Sequence, residues 1–501
     1  MSHLNNTQIA ENKKHIKEQQ SIILNNKKLH GNMEEPRTKQ RNTKFPAQTI
    51  EEEQTFREDA AKEQIKIWHN LLPSLLEKLG RIPDPRNPKK IKHKVTVLIL
   101  MGILLFVMKI SSLRDMNKTF SKPRLRASLY TIFPELDSSP HASTLSRFLE
   151  HTDPLRIEEA TVLMIKDLIR KKKFQKFYIL GHLPFAMDGV QKVVRNGVMY
   201  DENWLERTIK SKDGGEEIQK YIYLLEVNIT LHNGLTIPLM SEFLFYEGNP
   251  KIDKQDCELV AIKRLAKRAK SYFKRQHIVV LLDKLYANDG IITLLNQLRW
   301  KFVIVLPSHK LKQINEEIKR QKGNEFLLPN QVSFRGRKQE WILCHNIETK
   351  GKKIIGAISC LESWKEVDKD TGEVITKFSE HRWITNFNVT RDNLHEVANL
   401  GARKRWGIED SNNTEKNRGY GYKHMFSYDW NAMRCYHYLM RLGHALNALS
   451  EFSKKLKSLI KDFGCSFILK LIKETLEHPW LSFDWINNVI NGDLRFQFDW
   501  C

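Results

Sequence analysis

Arg405, Glu409 and Lys416 stand in the stretch Arg405-Trp406-Gly407-Ile408-Glu409-Asp410-Ser411-Asn412-Asn413-Thr414-Glu415-Lys416. At about 100° per residue along an α-helix, the three fall within roughly 40° of one another. One helix face then carries a carboxylate between two cations. Such a face can bind a metal ion through the acid while its neighbours hold phosphate. It can equally form a solvated salt-bridge ladder, which is common on helices. Two further carboxylates close apolar, strand-like runs: Asp188 after Leu183-Pro184-Phe185-Ala186-Met187, and Asp283 after His277-Ile278-Val279-Val280-Leu281-Leu282. An Asp at the carboxyl edge of an open α/β sheet is where sites form. Either Asp taken alone also reads as a cap on the next helix. Two acids on strand ends and one on a late helix, taken together, are what two divalent cations need for in-line attack on a phosphodiester.

The elements that must position these acids read as an α/β core. Residues 177–188 give a first strand and Tyr221–Leu231 a second. His232-Asn233-Gly234 is a hairpin turn leading to a third strand at Leu235–Phe245. A helix at Cys257–Phe273, a strand at Ile278–Asp283, another helix and a strand at Trp300–Leu306 complete the order. The Cys257–Phe273 helix carries Lys263, Arg264, Lys267, Arg268 and Lys270, which suit either a DNA path or a solvated face. Between Asp283 and Glu409 lie far more residues than one strand and one helix require. Alternating pieces such as Trp341-Ile342-Leu343-Cys344 and Lys353-Ile354-Ile355-Gly356-Ala357-Ile358 mark a mostly β insertion at about 307–390. After Lys416, Arg418-Gly419-Tyr420-Gly421-Tyr422-Lys423-His424 mixes glycine, aromatics and cations. That mix suits a DNA backbone and unpaired bases, and it also suits a packed turn.

Outside this core, residues 1–60 read as a disordered basic arm. Residues 61–175 have helical periodicity, with Ile65, Trp68, Leu71, Leu72, Leu75 and Leu76 at spacings of three and four. The apolar run Val95–Met108 is too short to span a bilayer and reads as a buried helix. Ser112 with Asp115 has capping-box spacing. Trp430–Leu449 reads as an amphipathic core helix, and 451–501 as a helical tail. Six unpaired-looking cysteines fit a reducing, cytoplasmic setting without zinc spacing. With 82 Lys and Arg against 59 Asp and Glu, the net charge of +23 suits a polyanionic partner.

The order and context of these residues resemble bacterial insertion-sequence transposases of the DDE (Asp-Asp-Glu) type. The subgroup signature Tyr-x2-Arg-x3-Glu-x6-Lys is matched at Arg405, Glu409 and Lys416, with Ala402 in the Tyr position. Lys254-Gln255-Asp256-Cys257-Glu258, Leu281–Ala287, Trp300–Leu306 and Asn417–Tyr422 are also similar to one lineage of these enzymes. The resemblance covers about residues 84–449. It implies an RNase H-like catalytic domain at 176–450, preceded by a helical domain that binds DNA ends. It also implies Mg²⁺, with Mn²⁺ as a substitute, held by Asp188, Asp283 and Glu409. Asp188 would bridge two ions, and Arg405, Lys416, Arg418 and Lys423 would contact DNA. The implied activity is cleavage at element ends and transfer of the 3′ ends to target DNA. The implied partners are terminal inverted repeats, target DNA and a second copy in a synaptic complex, with no membrane and a place on the nucleoid when DNA is bound. A nuclease without strand transfer and a catalytically silent DNA-binding relic are the alternatives. With Ala402 in place of the Tyr, the resemblance carries no expectation for or against a hairpin step.

Overall fold

A computed structural model of the chain describes residues 6–28, 44–196, 203–210, 214–245, 254–328, 337–368 and 370–498. Asp253, Trp500, Cys501 and the side chains of the Lys254–Cys257 motif lie outside the described residues. Helices α1 (Asn6–Lys28), α2 (Ile50–Leu79), α3 (Val95–Val107), α4 (Leu113–Phe120), α5 (Pro123–Ile132), α6 (Ala142–Glu150) and α7 (Pro154–Arg170) come first. Strands β1 (Leu183–Asn196), β2 (Leu205–Lys210), β3 (Glu216–Thr230) and β4 (Thr236–Leu244) follow. Next come α8 (Lys254–Tyr272), β5 (Ile278–Leu282), α9 (Asp289–Gln297), β6 (Lys301–Val305) and α10 (Lys312–Arg320). The chain continues through β7 (Phe326–Leu327), β8 (Lys338–Glu348), β9 (Ile354–Val367) and β10 (Val374–Thr385). It ends with α11 (Trp406–Asn417), α12 (Trp430–Glu451), α13 (Lys454–Phe463), α14 (Cys465–Glu477) and α15 (Phe483–Asn491).

The described strands form one mixed sheet ordered β2-β3-β1-β5-β6-β10-β9-β8-β7, with β4 taking the far half of β3 beside β2. β1, β3 and β4 are antiparallel, whereas β5 and β6 run parallel to β1. The β3–β4 hairpin turns where Gly234 takes φ +94°, a conformation that favours glycine. Asp188 does not end its strand as the apolar run suggested. β1 continues through it to Asn196 because β3 pairs with it all the way. The pairing with β5 is shorter, stopping at Ala186. Among its described residues the β-rich insertion contains one helix, α10, and its strands extend the main sheet through the β6–β10 pair.

The α3 run is buried from Val97 to Val107, and Ser112 accepts the Asp115 N–H at 3.1 Å to start α4. α12 is buried on nearly all sides rather than along a stripe, because α3, α6, α7 and β4 all pack on it. Within residues 1–60, expected without regular structure, 6–28 form α1 and α2 begins at Ile50. The 60/61 boundary therefore falls inside α2. The helices after 451 pack back on the first helices: Lys122 pairs with Glu477 at 2.9 Å, and Arg57 lies 4.6 Å over the Trp480 ring. One apolar cluster runs from α2 to α15. Among the described residues, no helix is long and apolar enough to cross a membrane.

α3 and α12 approach at two glycines. A Cβ on Gly443 would lie 2.7 Å from Phe106 Cβ and 3.2 Å from the Val107 nitrogen; one on Gly102 would lie 2.9 Å from Leu439 Cδ1. Gly443→Val is expected to destabilise the chain by about 1–3 kcal/mol through overpacking, read as a lower urea midpoint at unchanged slope.

Candidate active site

β1 and β5 bring two of the acids to neighbouring positions. Asp188 sits two residues past Ala186, where the parallel pairing ends, and Asp283 is the first residue past β5. Asp283 also caps: its Oδ1 accepts the Leu285 N–H at 2.8 Å. Lys310, from the insertion, donates to the carbonyls of Lys284 and Leu285 at 3.1 and 2.8 Å and clamps that turn.

The third acid arrives on a helix that starts later than the sequence suggests. Glu396–Gly401 forms a π-helical turn and Ala402–Arg405 a 3-10 turn, so α11 begins at Trp406 and Glu409 lies in its first turn. A carboxylate is favoured there by the helix dipole. Arg405 Nη2 donates to Glu409 Oε1 at 2.7 Å, and Nη1 stands 3.8 Å from Asp188 Oδ2. Arg405 is 7 % exposed, and its Nη1 makes no hydrogen bond. It thus reaches from one acid to the other.

Burial pushes the Asp188 carboxyl up to about 7; Arg405 pulls it down, and the charges of Asp283 and Glu409 push it up further. Asp283 and Glu409 therefore both lie within electrostatic reach of Asp188. As they stand, no three His, Cys, Asp or Glu groups among the described residues close into a metal cage. The positive charge facing Asp188 and Glu409 is the Arg405 guanidinium. An all-carboxylate oxygen donor set nonetheless suits a hard divalent cation such as Mg²⁺. A cation beside Asp188 would offset the burial, and the charges of Asp283 and Glu409, that make this residue hold its proton.

The remaining cations divide. Lys416 is half-buried, with Nζ 5.7 Å over the Tyr422 ring. Burial lowers its pKa, and Glu226, Glu415 and Asp188 pull it back up. Arg418 and Lys423 are exposed. Tyr420 and Tyr422 are only 1 % and 0 % exposed, so the loop is a packed turn and its tyrosines cannot stack on bases. On α8, Arg264 and Arg268 are both committed to Glu242, and Arg268 Nε meets Glu158 Oε1 at 2.8 Å. Lys263 and Lys267 stay exposed.

Three neighbours escaped the sequence reading. Glu226 of β3 is the register partner of Asp188 and is fully buried. Glu258 of α8 and Tyr223 of β3 press on Gly189, where a Cβ would come within 2.8 Å of Glu258 Oε2 and 2.5 Å of the Tyr223 hydroxyl. Tyr286 donates to Glu258 Oε2 at 3.2 Å. The only trace of Glu226 was an acid inside an otherwise apolar strand. Glu258 lay inside the Lys254–Glu258 motif, with nothing to show it would pack on Gly189 beside Asp188.

Residues 252–446 match the family described as Transposase DDE domain, and residues 76–163 match the one described as DDE_Tnp_1-associated. These matches support a DDE-type transposase. Asp283, Arg405, Glu409, Lys416, Arg418 and Lys423 fall inside the first span and Asp188 outside it. No curated protein matches the chain. A solved piggyBac transposase synaptic complex with hairpin DNA is 10% identical over 86% of this chain and 84% of its own. Its TM-score of 0.36 is too low to carry structural inference.

Asp188 also links stability to pH. Its folded-state value of about 7 lies above the ordinary value near 4, so the folded state binds the proton more tightly. In chelator, wild type should lose stability as pH rises between these values, whereas Asp188→Asn should not. The melting-temperature advantage of Asp188→Asn should therefore open across that window and stay level above it. A difference independent of pH would contradict the raised value.

Proposed function

We propose that this chain, which carries a DDE-type transposase match over residues 252–446, is a DNA transposase that cleaves at the ends of an insertion sequence and joins the 3′ ends to target DNA. The observation that supports this most is the bridge from Glu409 through Arg405 toward Asp188, with Asp283 at the adjacent strand end. The sheet order, with antiparallel β1, β3 and β4 beside parallel β5 and β6, supports an RNase H-like reading of the core.

Asp188, Asp283 and Glu409 would hold divalent metal, Mg²⁺ or Mn²⁺. Such metal, when bound, supplies the Lewis acidity and charge relief that phosphodiester displacement needs. The residues of the chain do the rest. Arg405 presents a planar fork of fixed donors, and its buried, unbonded Nη1 is suited to a phosphate oxygen. Lys416 adds a point charge that is half-desolvated and so acts strongly at short range. Exposed Arg418 and Lys423 attract the backbone on either side of the scissile position. Trp406, 61 % exposed and 5.1 Å from the Arg405 guanidinium, shields one side of that fork. Joining two element ends calls for two catalytic centres, so the working unit is a dimer on DNA bearing terminal inverted repeats.

The test is Mg²⁺-dependent cleavage and joining of DNA carrying inverted repeats identified in the sequence that flanks the gene. Wild type should cleave and join. Asp188→Ala, Asp283→Ala and Glu409→Ala should each do neither, while binding DNA within about threefold of wild type, because phosphate contacts dominate affinity. Arg405→Lys keeps the charge and loses the fork, so cleavage should slow about 10- to 100-fold. Cleavage without joining would mark a nuclease. Binding without cleavage, equal in all variants, would mark a silent DNA-binding protein.

A further inference from the structure

We infer that Arg441 is a positioning residue for the acidic site: with Glu226 and Glu415 it forms a buried ion triad that holds the helix of Glu409 against the strand pair of Asp188. The inference rests on the reading of that site as a phosphoryl-transfer centre. None of the three residues belongs to the acid set or to its phosphate-facing cations.

Arg441 sits on α12 two residues before Gly443, where α12 is locked against α3. Its guanidinium grips β3 at three successive residues. Nη1 reaches Glu226 Oε2 at 2.8 Å, while Nη2 reaches Asn228 Oδ1 at 2.5 Å and the Val227 carbonyl at 3.2 Å. The same Nη1 lies 3.3 Å from Glu415 Oε1 on α11. His444, also on α12, bonds that Glu415 oxygen at 2.8 Å. Tyr422 donates to Glu226 Oε1 at 3.1 Å. The Asn412 amide, oriented to satisfy both its ends, donates to Glu226 Oε2 at 2.7 Å. Two residues of α11 thus reach the one carboxylate that stands across from Asp188, Asn412 directly and Glu415 through Arg441. Glu415 follows Glu409 by six residues, about 9 Å along a stiff helix. A shift or tilt at Glu415 is therefore carried to Glu409.

Stability alone does not account for the triad. Arg441, Glu226 and Glu415 are 3 %, 0 % and 0 % exposed, and Arg441 Nε and Glu415 Oε2 lack hydrogen bonds. Well-packed apolar or neutral groups of similar size usually serve stability as well as a buried ion set, or better. What ions with fixed directions add is one register between the elements they join. Here those elements are β3, α11 and α12, and β3 is the strand that runs beside Asp188.

The experiment uses the full chain and a neutral triple variant, Glu226→Gln/Glu415→Gln/Arg441→Met, which removes the three ions together and leaves buried Lys192, whose charge Glu415 and Glu226 favour, free to take its neutral form. Melting temperature, affinity for inverted-repeat DNA in chelator, single-turnover cleavage and the Mn²⁺ concentration for half-maximal thermal shift are read for both proteins. The triple variant is expected to melt no lower than wild type and to bind DNA within about twofold. Cleavage should slow by about 10- to 100-fold, and the Mn²⁺ midpoint should rise, as when partners outside the ligand shell are removed. A triple variant that melts, cleaves and takes up Mn²⁺ like wild type overturns the inference and leaves the proposed function standing. Wild type that neither cleaves nor responds to Mn²⁺ overturns both. Should the triple variant fail to fold, Glu415→Gln alone must show the same slowed cleavage at unchanged DNA affinity, and normal cleavage by it overturns the inference.

Discussion

Asp188, Asp283 and Glu409 repel one another, and the fold has to hold them together against that repulsion. Burial sharpens the problem, because lower solvent screening strengthens like-charge interactions as much as favourable ones. Asp188 answers partly by holding its proton up to about pH 7. Arg405 answers further by reaching between Glu409 and Asp188. The placement of Arg405 depends in turn on the irregular turns before α11. Arg405 is the last residue of the 3-10 turn that joins them to α11. The π and 3-10 turns at Glu396–Arg405 are thus part of the site's geometry, as such departures from regular helix often are.

Rigid packing beneath the acids gives that geometry its precision. α12 is the element against which the rest is set. It touches β4, α3, α6 and α7, and its close contact with α3 requires glycine at 443. Tyr438 donates to the Ser241 carbonyl at 2.9 Å, and His437 bonds the Ser241 hydroxyl at 3.0 Å, tying α12 to β4 through side chains. The first helices and those after residue 451 therefore share a core with the sheet instead of hanging from it. Residues 61–175 were expected as a DNA-end-binding domain, and their inner faces are committed to this core. Only outward residues such as Lys89, Lys90 and Lys92 remain free to meet a partner.

Much of the fold could be read in the sequence because local pattern dictated it. The apolar β-branched run before Asp283 suits a buried strand, and His232-Asn233-Gly234 suits a hairpin turn, and both are found. Asp188 was misplaced for a physical reason. An apolar run that passes into polar residues looks like a strand end, but the antiparallel partner β3 keeps β1 extended to Asn196. Glu226 and Glu258 were invisible because their importance lies in what faces them across strands and helices far away in sequence. The buried state of Tyr420 and Tyr422 was hidden likewise. A Gly-Tyr-Gly-Tyr loop looks free until Asn447 and Glu226 are seen to bind the two hydroxyls.

The long gap between Asp283 and Glu409 is resolved by sheet continuity. From β6 the chain runs outward through α10 to β7 and β8 at the far edge, then returns by β9 and β10. β10 pairs antiparallel with β6, Trp383 opposite Val305, so the chain comes back beside the strand it left. Loop-closure entropy rises only slowly with length, and each returning strand is held by a full ladder, so such an insertion costs the core little. Glu362, in the middle of the inserted β9, binds Arg403 Nη2 at 2.9 Å, two residues before Arg405. The insertion therefore grips the chain at the turn that aims Arg405. It acts as a brace for the site, and a site assembled from β1, β5 and α11 would have a looser Arg405 without it.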